Sequence, residues 1–302
     1  MDRRKVKRFL IWTFIFSWSL IGIFYLTGGE WQTKGATIIA LAYMFIPMIV
    51  AFIVERYSGN GQISKDLGIS FRINIWFVIA WLLMPVLAFA TFGITLLFPD
   101  IHFSSDMSGF FERYSSMLTE EQIEQMRRSM DTLPVHPVWL SLVQGLIAGA
   151  TVNAVAGFGE ELGWRGFLVK EFRNFSFVKA SLIIGFIWGI WHAPLILMGH
   201  NYPEHPVIGV LMMMVWCILL TPLFLYFRIR SGSVIQSAIM HGTLNATYGL
   251  SIMMVAGGND LTTGMTGLPG FIALVVVLFI IYAYDNRISH EQIMSGKMSQ
   301  NH

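Results

Sequence analysis

Three short stretches of the sequence place ionisable or amide side chains in strongly apolar surroundings. They are Gly159-Glu160-Glu161-Leu162-Gly163-Trp164-Arg165, Trp188-Gly189-Ile190-Trp191-His192 and His241-Gly242-Thr243-Leu244-Asn245. Because an ionisable side chain is costly inside a lipid bilayer, such residues usually mark a functional site. A carboxylate and a neutral imidazole can hold and deprotonate a water molecule, while a second imidazole and an amide can donate hydrogen bonds to a developing oxyanion. These residue types together are suited to the hydrolysis of a peptide bond.

The two adjacent glutamates are predicted to have different roles. In a helix, Glu161 and Arg165 are four residues apart and share a face, so they can form an ion pair. Glu160 lies about 100° around the helix axis and lacks that partner. The spacing therefore predicts that Glu161 and Arg165 are supporting residues and that Glu160 is available as a general base.

His192, His241 and Asn245 are predicted to lie near Glu160. His241 and Asn245 are one helical turn apart, so both can face one cleft. At about 1.5 Å per residue, the distance from the nearest predicted cytoplasmic cation is roughly 15 Å for Glu160, roughly 20 Å for His192 and roughly 16 Å for His241. Side chains from three helices thus reach one level, which predicts a polar cavity within the membrane that opens toward the cytoplasm.

The same side chains permit a second mechanism. Glu160, His192 and His241 could instead bind a divalent metal ion such as zinc, with a water molecule in the open position. The spacing of these residues in the sequence does not separate the two mechanisms.

Apolar segments must position these residues, and the composition indicates that the segments cross a membrane. Of 302 residues, 55% are hydrophobic and only 13% are charged, with a mean hydropathy of +0.60. A soluble domain carries about 25% charged residues, so a water-soluble enzyme is excluded. The net charge of +2 offers no broad basic face for nucleic acid. Cys217 is the single cysteine, which excludes an intrachain disulfide and a thiolate metal cluster.

Eight apolar runs are long enough to be transmembrane helices. They are predicted over residues 9–27, 36–54, 75–98, 138–171, 180–198, 207–227, 232–256 and 270–284. With the basic N-terminus in the cytoplasm, most of the 20 Lys and Arg residues fall in cytoplasmic segments. The sequence therefore predicts an all-α integral membrane protein with about eight transmembrane helices and both termini cytoplasmic, a multi-pass protein of a prokaryotic plasma membrane.

A single polytopic membrane domain is predicted over residues 1–302, with the motifs in a core of about residues 138–256. Gly145 and Gly149 in this core form a Gly-x-x-x-Gly pattern that suits close contact with another helix. Residues 99–137 are predicted to be extramembrane.

An amphipathic helix is predicted in the extramembrane segment. Thr119 and Gln122 suit a capping box, and Leu118 with Ile123 suits a hydrophobic staple. The apolar residues that follow fall on one helical face. A loop helix packed on the protein without chemistry is the favoured interpretation, and a lid that faces the substrate is the alternative.

The motifs resemble those of the CPBP family, the CAAX proteases and bacteriocin-processing enzymes, also called type II CAAX prenyl endopeptidases or Abi proteins. The family pattern is Glu-Glu-x-x-x-Arg, then Phe-x-x-x-His, then His-x-x-x-Asn or a similar element. The first and third elements are present in full as Glu160, Glu161 and Arg165, then His241 and Asn245. His192 matches the second element, although Trp188 replaces the usual Phe, a change that we expect to affect only local packing.

The resemblance implies an all-helical intramembrane endopeptidase. Its substrate would be a membrane-associated peptide or protein, either a prenylated C-terminal peptide or one that resembles a bacteriocin or pheromone. By analogy, Glu160 and His192 activate the water, while His241 and Asn245 stabilise the oxyanion. Both metalloprotease and metal-free mechanisms are described for the family. We favour the metal-free one, without a cofactor, because only two histidines and one free carboxylate are available and Asn is a better oxyanion donor than metal ligand.

Two other functions fit parts of the sequence. A transporter or channel could use the polar residues to bind a substrate or an ion, but transporters often have repeated halves, and this sequence has no internal repeat. A family member without catalysis could act in the membrane as a bacteriocin-immunity factor or a scaffold. The complete set of polar residues favours the enzyme, with a membrane-associated peptide and the lipid bilayer as its partners and no nucleic acid.

Overall fold

The computed structural model describes residues 1–31, 33–57, 62–113 and 119–298. Helices dominate these residues, and a single short antiparallel ladder in the same ranges joins strands β1 and β2. The elements are α1 (Arg3–Leu26), α2 (Lys34–Arg56), α3 (Ile63–Asp66), α4 (Ile75–Thr95), β1 (His102–Phe103), α5 (Ser108–Arg113), α6 (Glu120–Asp131), α7 (Pro137–Ala150), α8 (Val152–Glu161), a π-helical turn (Leu162–Phe167), α9 (Leu168–Glu171), α10 (Phe177–Trp191), α11 (Ala193–Leu197), α12 (Pro206–Ser231), α13 (Val234–Thr247), a 3₁₀ turn (Tyr248–Ser251), β2 (Val255–Ala256) and α14 (Leu268–Arg287).

Several of the described helices are long and apolar enough to cross a membrane. Five meet this description: α1, α2, α4, α12 and α14. The helical stretches Pro137–Ala150 and Val152–Glu171 together form a sixth candidate, which is bent by 50°. Thr151 lies at the bend with a non-helical backbone, φ −122° and ψ −96°. By length and composition the chain is a multi-pass membrane protein, and the predicted fourth span is a broken helix.

The predicted number of eight spans and the cytoplasmic location of the termini are not confirmed. The predicted spans 180–198 and 232–256 coincide with α10 and α13, which have only 15 and 14 residues. Helices of this length are roughly 22 Å long, shorter than a hydrocarbon core of about 30 Å. Helix α10 ends at Trp191, and Pro194 stands at the start of α11. These two motif-bearing helices pack mainly against other helices, α10 on α12 and α13 on α7 and α8.

Small residues allow the motif-bearing helices to approach closely. Gly145 and Gly149 of α7 face α13, and a Cβ atom on Gly149 would lie 2.5 Å from Thr243. Gly157 of α8 faces the same helix, since a Cβ atom there would lie 3.2 Å from the Cβ of His241. The close helix contact that the Gly-x-x-x-Gly pattern predicts is therefore present.

Helix α6 begins with the predicted capping box. The Thr119 hydroxyl accepts from the backbone N–H of Gln122 at 3.2 Å, and the Gln122 side chain accepts from the backbone N–H of Thr119 at 2.8 Å. Ile123 and Met130 pack against the hydrophobic core, as in a loop helix packed on the protein. The predicted hydrophobic staple involves Leu118 and lies outside the described residues.

Both ends of the described chain lie at one end of the bundle, which we call the terminal end. The backbone N–H of Asp2 donates to the Glu171 carboxylate at 2.6 Å, and that of Met298 donates to the Phe175 carbonyl at 3.1 Å. The opposite end, which we call the loop end, carries the connections α1–α2, α11–α12 and β2–α14.

Candidate functional site

Glu160 lies near the end of α8 and is buried inside the bundle. Only 3% of the residue is exposed. Its Oε2 accepts a hydrogen bond of 2.8 Å from the indole N–H of Trp188 on α10. The carboxylate that the sequence predicts to be available thus lies apart from the ion pair of its neighbour Glu161.

Glu161 links two helices through one oxygen. Its Oε1 accepts from the guanidinium of Arg165 at 3.1 Å and from Nδ1 of His241 at 2.8 Å. All three side chains are at most 5% exposed. The ion pair with Arg165 is the one expected from the spacing, and it is retained although Arg165 lies in the π-helical turn. The bond to His241 was missed because it joins residues 80 positions apart, for which spacing carries no signal.

Arg165 is a fully buried charge with several compensating contacts. Its guanidinium lies over the ring of Trp188 at 4.2 Å and over that of Phe224 at 4.6 Å. A further N–H donates to the hydroxyl of Thr221 at 3.3 Å. A buried charge is stable only when it is paired, so the carboxylate of Glu161 and these rings together keep Arg165 in place.

His192 lies between α10 and α11, and its ring orientation is set by the backbone. Its Nδ1 is 2.7 Å from the carbonyl oxygen of Trp188. Because a carbonyl oxygen only accepts, Nδ1 carries the proton, and Nε2 of the neutral ring is left to accept one. Cys217 borders the same ring, with its Sγ 4.0 Å from Nδ1.

The indole of Trp188 brings the predicted catalytic side chains to one place. Its ring centroid lies 5.8 Å from that of His192 and 5.7 Å from that of His241, while its N–H holds Glu160. A carboxylate from α8 and imidazoles from the end of α10 and from α13 therefore surround one ring. The expectation that Trp188 affects only local packing is too narrow, because the Phe of the family pattern has no N–H to donate. The sequence did contain a signal for this role, since Trp188 places an indole N–H donor one helical turn before His192.

Asn245 lies at the edge of this cluster. It follows His241 by one turn of α13, but it is exposed, whereas only 4% of His241 is exposed. Of the four predicted catalytic residues, Glu160 and His241 are thus buried, His192 is partly buried and Asn245 is exposed.

The predicted metal ligands do not form a coordination set. Among the described residues, no group of three or more His, Cys, Asp or Glu side chains is arranged to hold a metal ion. The hydrogen bonds to Nδ1 of His192, Nδ1 of His241 and Oε2 of Glu160 leave Nε2 of each ring and Oε1 of Glu160 as the remaining atoms that could bind a metal ion. The described side chains thus give no support to the zinc site considered from the sequence.

A cavity of about 990 Å³ lies at the loop end, and Glu160, His192 and His241 are not among its lining residues. His200, in the α11–α12 connection, is one of its lining residues. Tyr248, also in the lining, is three residues beyond Asn245. The lining further includes ionisable residues of both signs, among them Lys34, Glu112 and Arg113. If the termini are cytoplasmic, as predicted, this cavity is on the other side, so it does not support the expected opening toward the cytoplasm.

Comparison with known proteins identifies relatives of the motif-bearing region. Residues 137–247 match the family described as type II CAAX prenyl endopeptidase Rce1-like. A curated relative, CAAX prenyl protease 2 from Methanococcus maripaludis, is 27% identical over 172 residues, which are 55% of this chain and 52% of the relative. The chain thus aligns with about half the length of this relative. The matched range contains all three motifs, from Glu160 to Asn245, and the resemblance to the CPBP family is confirmed.

Proposed function

We propose that this chain is an intramembrane endopeptidase that hydrolyses a peptide bond of a membrane-associated peptide or protein. The observation that carries the proposal is the cluster in which Glu160, His192 and His241 surround the buried indole of Trp188. The cluster lies within the region that matches an endopeptidase family. The enzyme would act in the plasma membrane of a prokaryote, on a prenylated C-terminal peptide of the kind named by its relative or on a peptide that resembles a bacteriocin or pheromone.

The proposed chemistry begins with a water molecule held between Glu160 and Nε2 of His192. Glu160 takes a proton from this water as its oxygen attacks the scissile carbonyl carbon, and the carbonyl oxygen becomes an oxyanion. Hydrogen bonds from His241 and Asn245 stabilise that oxyanion. When the tetrahedral intermediate collapses, the C–N bond breaks and the proton passes to the leaving amine. One peptide bond and one water molecule are thus converted to a carboxylic acid and an amine.

Glu161 and Arg165 would support this chemistry from outside it. The Glu161 carboxylate only accepts, so Nδ1 of His241 carries the proton of their 2.8 Å hydrogen bond. Donation to an oxyanion from Nε2 then requires a proton on that nitrogen as well, and the carboxylate balances the positive charge of the doubly protonated ring.

A metal-dependent version of the same hydrolysis is the alternative mechanism. Its ligands would be Glu160, His192 and His241, although their arrangement does not favour a metal site. We expect activity of the purified protein to survive treatment with a strong chelator. Activity that is lost on chelation and restored by zinc would replace the metal-free mechanism with the metal-dependent one.

The experiment that tests the proposed function compares Glu160→Gln with the wild-type chain in proteoliposomes. Tethered test peptides, with and without a prenyl group, are incubated with each, and the products are identified by mass spectrometry. Loss of a general base typically lowers the rate by about 10²–10⁴-fold. The matched control is Glu171→Gln, since Glu171 is also a buried glutamate, 6% exposed, but lies at the terminal end. If Glu160→Gln cleaves at the wild-type rate, the catalytic assignment is wrong.

The substrate in the cell can be sought with the same pair of proteins. Membranes from cells that carry the wild-type chain or Glu160→Gln are compared by proteomics. A natural substrate accumulates uncleaved only with the variant, and its new C-terminus in wild-type membranes identifies the cleavage site.

A further inference from the structure

We propose that Trp188 is a positioning residue for both groups that would activate the water, Glu160 and His192. This inference rests on the proposed function and extends it to a residue at which the chain departs from the pattern of the family it resembles. The indole N–H holds Oε2 of Glu160 at 2.8 Å, and the backbone carbonyl of the same residue holds Nδ1 of His192 at 2.7 Å. One residue therefore sets the direction of a carboxylate and of an imidazole.

The indole is held rigidly enough to act as such a reference. Only 1% of Trp188 is exposed. The guanidinium of Arg165 lies 4.2 Å above its ring, and the rings of Phe224 and Trp216 are 6.0 Å and 6.2 Å from it. Arg165 of the π-helical turn and two aromatic rings of α12 thus limit the motion of the Trp188 indole, which lies on α10.

A fixed indole restricts the carboxylate that it binds. A glutamate side chain has several rotamers, and ordering it costs up to about 2 kcal/mol of conformational free energy. The hydrogen bond from Trp188 favours the rotamer in which Oε2 of Glu160 faces the indole, which also sets the direction of Oε1. A base that is already oriented toward its water needs no reorganisation when the reaction begins.

The positioning of Glu160 depends on the N–H group of the indole and not on the size of the ring. The family pattern has Phe at the position of Trp188, and a phenyl ring can fill space but has no hydrogen to donate. The backbone carbonyl that holds His192 is present with either residue. A change from Trp to Phe should therefore release Glu160 and leave the orientation of His192 unchanged.

The test replaces the indole in two ways. Trp188→Phe introduces the residue of the family pattern, and incorporation of 3-benzothienylalanine at position 188 keeps the bicyclic shape but lacks the N–H. Trp81→Phe is the matched control, because it also removes an indole hydrogen bond, here 3.0 Å to the carbonyl of Leu146, between α4 and α7. Cleavage of a tethered peptide is measured for each protein in proteoliposomes as kcat and KM.

We expect both changes at position 188 to lower kcat about 10- to 100-fold, as for a lost hydrogen bond to a charged group, with KM unchanged within about twofold. The control should retain the wild-type kcat. A benzothienyl protein with wild-type kcat would overturn the proposal, because the ring would then act only by packing. So would a loss in Trp81→Phe as large as that at position 188, which would indicate general destabilisation.

A second measurement does not depend on activity. In protein labelled with ¹⁵N-tryptophan, the indole N–H resonance of Trp188 is assigned by its absence from Trp188→Phe. Glu160→Gln should shift that resonance and leave the one of Trp81 in place. An unshifted Trp188 resonance refutes the hydrogen bond itself. If the resonance shifts but the wild-type chain cleaves no peptide, the bond is supported and the proposed function is rejected instead.

Discussion

Replacing Glu161 by Gln removes the charge that stabilises Arg165 and orients His241. The carboxylate oxygen lies 3.1 Å from the guanidinium of Arg165 and 2.8 Å from Nδ1 of His241, and these two side chains are 0% and 5% exposed. Breaking a buried pair by removing one partner costs about 3–5 kcal/mol, because the remaining charge is left uncompensated. We therefore expect Glu161→Gln to lower the free energy of unfolding by about 3–5 kcal/mol and to reduce cleavage strongly.

The chain offers a matched control for this variant. Glu124 and Arg128 have the same spacing of four residues and are 3.0 Å apart, but their side chains are 57% and 77% exposed. An exposed pair of this kind contributes about 0.3–0.5 kcal/mol, so Glu124→Gln should have almost no effect. Stability is measured by reversible unfolding in mixed detergent micelles and followed by circular dichroism.

A double variant separates stability from activity. In Glu161→Gln combined with Arg165→Met, the uncompensated charge is gone, although about 2 kcal/mol of cation–π attraction is lost as well. We expect the double variant to regain about 1–3 kcal/mol relative to Glu161→Gln, while cleavage stays low because His241 still lacks its charged acceptor. The reasoning is refuted if Glu161→Gln is as stable as the wild type, or if the double variant recovers full activity.

Three further predictions concern packing, access and pH. Gly149→Leu should reduce the folded yield, because a Cβ atom there would lie 2.5 Å from Thr243 of α13. Gly93→Ala should leave the yield unchanged, since nothing lies within 4 Å of a Cβ atom at that position. The folded yield is measured by size-exclusion chromatography. Glu204→Cys, in the cavity lining, should react with an impermeant thiol reagent only from the loop end. The native Cys217 is 0% exposed and should not react. Labelling of the variant from the terminal end would contradict the location of the cavity. Burial lowers the pKa of His200, in the α11–α12 connection, from 6.5 to about 4, so stability should fall as pH drops through this window. His200→Gln should remove the decrease of the unfolding midpoint between pH 6.5 and about 4 that His200 causes. An unchanged pH dependence in the variant would contradict this role of His200.

Features that depend on neighbours in the sequence could be predicted from the sequence alone. The apolar composition determines that the chain enters a membrane, because no soluble fold can cover so much apolar surface. The Glu161–Arg165 ion pair, the capping box of α6 and the close contact at Gly149 follow from spacings within one helix. The motifs themselves were enough to identify the family that the chain resembles, and comparison confirmed it.

The tertiary structure decided what the motif residues contact. The bond from Trp188 to Glu160 joins residues 28 positions apart, and the bond from His241 to Glu161 joins residues 80 apart. Helical periodicity gives the face of each helix, but not how far one helix is shifted or rotated against another, and those two quantities decide which atoms meet. The number of helices that cross the bilayer in full also depends on tertiary packing. Short helices such as α10 and α13 are stabilised by packing against other helices, so they have no need to match the thickness of the bilayer.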